Sequence, residues 1–130
     1  MVNAYDNSIV ETDQFLNSVL NWLGAQDDKA QAAMIYVADH GESLGENNVY
    51  LHGLPYSIAP DVQKHVPWIT WLSPAMQSRT RLTTDCLRND LSERRLSHDN
   101  YFHSVLGLMD VKTNAYNPAL DMFGTCKSRG

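Results

Sequence analysis

Long apolar runs are absent. No stretch approaches the roughly 18 consecutive apolar residues that a bilayer-spanning helix requires. The opening residues, MVNAYDNSIVETD, lack the basic start and apolar centre of a secretory leader. Taken by themselves, these absences point to a soluble cytoplasmic chain, an expectation that depends on the 130 residues being whole. Basic residues are also few. Ten Lys and Arg against fifteen Asp and Glu give a net charge of -5 and a pI near 5.4. They form no run, and the one adjacent pair, Arg94 and Arg95, follows Glu93. A nucleic-acid partner would call for a basic face, so no such partner is expected. Only two cysteines occur, Cys86 and Cys126, too few for a zinc site of their own. They are either separate buried thiols or half of a bridge, to each other or to cysteines elsewhere, and composition leaves that open. Internal repeats and low-complexity stretches are missing too.

What is present suits one ordinary domain, with 43% hydrophobic residues to build a core. Ile9, Val10, Leu16, Val19, Leu20 and Leu23 recur at helical spacing, which predicts a helix over 5–24. Asp6 and Asn7 suit its start, and Gly24 its stop. AAMIYVA, residues 32–38, has no polar alternation and predicts a strand covered on both faces in a parallel sheet. VPWITWL, residues 66–72, predicts a second strand from its β-branched and aromatic residues. Ser73 and Pro74 then open a helix expected to run to about Leu91. Ser97 is expected to cap a last helix whose Phe102, Val105, Leu106 and Met109 share a face, and the tail after Asn117 reads as irregular. The class is α/β, with too few strands for a complete sheet.

Chemistry concentrates where the first strand ends. Tyr36 to Gly53 reads YVADHGESLGENNVYLHG, a polar loop with glycines directly after a buried strand. Ligands bind at that place in open α/β sheets. Asp39 and His40 offer oxygen and nitrogen donors that suit a borderline divalent cation, zinc above all. Adjacent strand residues face opposite ways, so both reach one ion only where the backbone leaves the strand, and Gly41 allows that departure. His52 closes the loop and can meet a second ion or an anionic oxygen of a substrate. Glu42 and Glu46 read as solvated groups or backbone caps, His65 as structural, and His98 with Asp99 as helix-start residues. Trp22, Trp68 and Trp71 read as core.

This loop closely resembles the signature of bacterial phosphoethanolamine transferases, which modify lipid A and include the mobile colistin-resistance proteins. The likeness extends to NAYDNSIVETD at 3–13, HVPWITWLS at 65–73 and LSHDNYFHSVLGL at 96–108. The resemblance implies a partial sulfatase-like sandwich, a fragment of a larger mixed sheet flanked by helices, with 1–130 the C-terminal part of a catalytic domain. It implies zinc as cofactor, with Asp39 and His40 as ligands and His52 against the substrate phosphate or an additional zinc. It further implies phosphatidylethanolamine as donor, lipid A as acceptor, and the periplasmic face of the inner membrane, reached through an N-terminal membrane anchor. A glutamate ligand and the threonine nucleophile of the family lie upstream of the resembling segments. Thr12, Thr70 and Thr80 have the wrong neighbours, so none is assigned as nucleophile, and the residues alone are expected to be inactive. Another phosphodiesterase or sulfatase-type hydrolase of the superfamily, or a non-catalytic remnant, is the alternative reading.

Overall fold

The computed structural model describes residues 2–127, leaving aside the side chains of Ser92 and Glu93. They form two compact units, divided after Ser73.

In the first unit, α1 (Val2–Gly24) precedes β1 (Ala33–Val37), the short pair β2 (Ser43–Leu44) and β3 (Tyr50–Leu51), and β4 (Trp68–Leu72). Single 3-10 turns lie at Glu46–Asn48 and Asp61–Gln63. Helix α1 covers the expected stretch, but none of its residues is buried. Leu16, Val19, Leu20 and Leu23 are half-covered, whereas Ile9, Val10 and Trp22 are exposed, so Trp22 is not a core residue.

β1 pairs with β4, and the pairing is antiparallel, from Ala33 opposite Leu72 to Val37 opposite Trp68. Within this chain the expected parallel pairing is corrected to an antiparallel one, and all five β1 residues are half-buried. The cause is the connection. A parallel return uses a crossover that is usually an α-helix, whereas residues 38–67 hold only the small β2–β3 pair and two 3-10 turns. At one end the Ser73 N–H donates to the Ala32 carbonyl at 2.9 Å, and the Ser73 hydroxyl accepts from the Ala32 N–H at 3.2 Å. Trp68 and Trp71, expected in the core, are only partly buried on β4.

In the second unit the helix expected over 74–91 is two helices, α2 (Pro74–Thr80) and α3 (Thr84–Glu93). Arg81 adopts a left-handed φ of 57°, and the Thr83 side chain then caps α3 by accepting from the Cys86 N–H. The last helix, α4, spans Asp99–Leu108. Its buried face is Asn100, Ser104, Gly107 and Leu108, whereas of the four residues expected to share a face Phe102 and Met109 are exposed. The small and polar face is turned inward because an irregular segment lies against it and needs partners. The Ser104 hydroxyl accepts from the Met122 N–H, and the Asn100 amide donates to the Leu120 carbonyl. A Cβ on Gly107 would collide with the Asp121 carboxylate.

That segment is irregular, as expected, yet its Asp121, Met122 and Phe123 are essentially inaccessible. Asp121 accepts from the Tyr116 hydroxyl at 2.7 Å and the Phe123 N–H at 2.9 Å, with the Lys127 ammonium 3.4 Å away. Cys126 bridges to Cys86 with a Cα separation of 5.7 Å, which resolves the open cysteine question. The enclosed 40-residue separation implies about 4 kcal/mol of stabilisation on the chain-entropy account.

Candidate metal centre

The β1–β4 ladder stops at a proline. The Ala38 N–H still donates to the Pro67 carbonyl at 3.4 Å, but Pro67 has no N–H to give back. The chain leaves the sheet at that point, carrying Asp39 and His40 away from strict alternation. Gly41 follows, and its part differs from the conformational freedom expected of it. An added Cβ would collide with the Val62 carbonyl, so the site requires close backbone approach there. The Gly41 N–H donates to the Gln63 carbonyl at 3.0 Å.

β2 and β3 then fold back as an antiparallel pair, Ser43 opposite Leu51 and Leu44 opposite Tyr50. Their turn needs left-handed backbone at Gly45 (φ 129°), Asn47 and Asn48. Continuing this register by one step sets Glu42 opposite His52. Those side chains meet, with a Glu42 carboxylate oxygen 3.2 Å from His52 Nδ1. Leu51, just before His52, also has a left-handed φ of 63°. For a side-chain-bearing residue that conformation costs about 1–3 kcal/mol, held here by the hairpin around it.

The two imidazoles lie against each other, with ring centroids 3.8 Å apart and planes inclined by 31°. Each has its Nδ1 committed. His40 Nδ1 is 2.9 Å from the Gly41 carbonyl, which can only accept, so that nitrogen carries the proton. His52 Nδ1 likewise donates toward the Glu42 carboxylate. In the neutral ring, each Nε2 is then the lone-pair nitrogen, the arrangement that metal-binding histidines use.

His40 Nε2 faces the Asp39 carboxylate, 3.7 Å from its Oδ2, while the other oxygen accepts from the His40 N–H at 3.1 Å. Two ligand atoms each about 2 Å from one tetrahedral zinc lie about 3.3 Å apart. The observed 3.7 Å is close to that, and either a proton on Nε2 or a cation between the two groups satisfies both. The donor set therefore fits zinc. Asp39 is 90% exposed and His40 40% exposed, which leaves room for further ligands and for substrate.

One ligand atom each from His40, Glu42 and His52 also lies within 4.8 Å of the other two. The expected pair Asp39 and His40 is thus adjacent, and His52 joins through His40. Glu42, expected to be a solvated group or a backbone cap, is only 22% exposed and holds His52. The signal for it was its mirror position across the Gly45–Val49 turn. Glu46 behaves as expected: hydrogen bonds from its own N–H and that of Leu44 hold its carboxyl below the usual range. His65 and His98 are exposed, and the His98 side chain makes no cap to α4. Gln63 was not foreseen. It is buried, donating to the Ser43 hydroxyl at 2.8 Å and the Leu51 carbonyl at 3.1 Å.

The sulfatase family pattern matches residues 1–111. The chain belongs to the sulfatase family. Within that family it is 46% identical, over 98% of its length, to the phosphoethanolamine transferase EptA of Salmonella typhimurium. It is 40% identical, over 85% of its length, to the phosphatidylethanolamine transferase Mcr-1 of Escherichia coli. It covers 23% and 19% of those two proteins, so the chain spans about a quarter or less of the curated relatives it matches. Among solved structures it superposes on the soluble domain of lipooligosaccharide phosphoethanolamine transferase A from Neisseria meningitidis. That match has a TM-score of 0.94 at 42% identity, and it covers 99% of this chain and 39% of the other. The α/β sulfatase-like architecture expected from the motifs is the one found. Among the described residues, no helix of this sulfatase-family chain is long and apolar enough to cross a membrane.

Proposed function

We propose that these residues form part of a zinc-dependent transferase that moves phosphoethanolamine from phosphatidylethanolamine to lipid A at the periplasmic face of the inner membrane. Asp39 and His40 hold the zinc, together with ligands from outside the chain. When bound, that ion supplies the Lewis-acid charge that lowers a hydroxyl pKa and balances phosphoryl oxygens. His52, oriented through Nδ1 by Glu42, turns Nε2 toward the phosphate of the transferred group. The observation that carries this reading is the facing pair, Asp39 Oδ2 and His40 Nε2, 3.7 Å apart at the end of β1.

The nucleophile is a threonine outside the 130 residues. Three hydroxyls inside them are occupied locally: Thr12 donates to the Ser8 carbonyl, Thr80 to the Met76 carbonyl, and Thr70 accepts from the Trp68 indole. The first displacement forms a threonine O–P bond and releases diacylglycerol, whose oxygen takes up a proton. The second transfers the group to a lipid A phosphate oxygen and restores the hydroxyl.

The test is a chimera in which this chain replaces the 127 matching residues of the Salmonella typhimurium relative. It is expected to transfer phosphoethanolamine from labelled phosphatidylethanolamine to lipid A, and to lose that activity with a chelator and regain it with zinc. The 130 residues alone are expected to release no diacylglycerol. A correctly folded chimera without transfer, or turnover by the chain alone, contradicts the reading.

A further inference from the structure

The four side chains of the site, Asp39, His40, Glu42 and His52, stand on two separate stretches, 39–42 and His52, and neither is in the β1–β4 ladder. The β2–β3 pair between them has two residues in each strand, too few to be rigid alone. Something else must fix one stretch against the other. Gln63 touches both. Its carbonyl accepts from the Gly41 N–H, between His40 and Glu42. Its side-chain amide donates to the Ser43 hydroxyl, next to Glu42, and to the Leu51 carbonyl, next to His52. The residue is 6% exposed, Ser43 is fully buried, and both amide protons are therefore spent inside the protein.

The backbone on either side makes this clamp specific. The turn at Asp61–Gln63 sets the Val62 carbonyl so close to Gly41 that no side chain fits there. Leu51, whose carbonyl takes the second amide proton, is the residue held at φ 63°. One amide thus bonds the hairpin at the two positions that aim Glu42 and His52, while the same residue's backbone anchors the turn after His40.

We infer that Gln63 is a positioning residue: its two side-chain hydrogen bonds hold His52 and Glu42 against His40, and so set where the transferred phosphate sits. The catalytic consequence rests on the transferase reading above; the geometric one does not.

Gln63→Met keeps the volume and removes both donors. In the chimera it is expected to lower kcat by about 10- to 100-fold, as loss of outer supporting groups does, with KM changed less than about threefold. In the 130-residue chain, proton NOEs between the His40 and His52 rings are expected in the parent and lost in Gln63→Met, with the β1–β4 amide signals retained. Ser43→Ala removes one of the two bonds and covers the case in which Gln63→Met does not fold. It is expected to lower kcat by about three- to tenfold and to weaken the same NOEs. Retained ring NOEs and a kcat within twofold of the parent in the folded variant overturn the inference. A wild-type chimera that transfers nothing contradicts the transferase reading, and the ring NOEs still decide the clamp.

Discussion

The two units are held together by different means, and their chemistry divides accordingly. In residues up to Ser73 the only buried apolar side chains among those described are Ala59 and Leu72, and order comes from short hydrogen-bonded pieces around Gln63 and Ser43. From Pro74 onward, Met76, Leu82, Leu87, Leu108, Met122 and Phe123 form a core, with a disulfide and a buried carboxylate network added. The first unit carries every candidate site residue that this chain offers. An open, lightly packed loop can take further ligands and a substrate; a sealed core cannot. Functional groups commonly sit on such loops for this reason.

Separating the two kinds of residue breaks or sharpens that contrast, and the largest effect belongs to the first unit. His40→Ala in the chimera is expected to cut transfer about a thousandfold, the several kcal/mol that an active-site cation supplies. Thermal stability of the chain is expected to stay within a few degrees. A stability loss matching the activity loss would show His40 to be structural.

In the second unit, Cys86→Ser with Cys126→Ser is expected to cost about 4 kcal/mol, read as faster amide exchange at Met122 and Phe123. The His40–His52 ring contacts are expected to persist. Asp121→Ala leaves the Tyr116 hydroxyl without its acceptor, while the Lys127 ammonium keeps the Gly107 carbonyl, and it is expected to cost about 3 kcal/mol by the same exchange measurement.

The smallest effect is a pH dependence. Burial, and then the hydrogen bond and charge of Asp121, push the Tyr116 hydroxyl up to about 12 from its usual 10. The folded state therefore holds this proton more tightly than the unfolded one. The linked stability is full below pH 10 and is lost as pH rises from 10 to 12. Allowing for solvent screening, it amounts to about 1 kcal/mol. Urea midpoints should fall across that window in the parent and not in Tyr116→Phe.

The same division explains how much was legible beforehand. Helix α1, both long strands and the Asp39–His40 pair were readable because each rests on local pattern: a periodic stripe, an apolar run, an abrupt polar loop after it. The strand direction was not, because direction is set by how the intervening chain returns, and a two-residue hairpin leaves almost no periodic signal. Thr83 within the predicted helix marked the break before α3, but the expected helix rested on its Ser73–Pro74 start alone. The inner face of α4 was not legible because its side chains bond the backbone of residues 120–122, a tertiary demand. Glu42 was visible only through hairpin register, and Gln63 only through burial.

Titration of zinc into the 130-residue chain, followed by the imidazole nitrogen resonances of all five histidines, tests the central claim most directly. His40 Nε2 is expected to take the metal-bound shift while its Nδ1 stays protonated against the Gly41 carbonyl, with Asp39→Ala weakening the response. A response confined to His65, His98 or His103, with His40 unmoved, would contradict a metal centre at the end of β1.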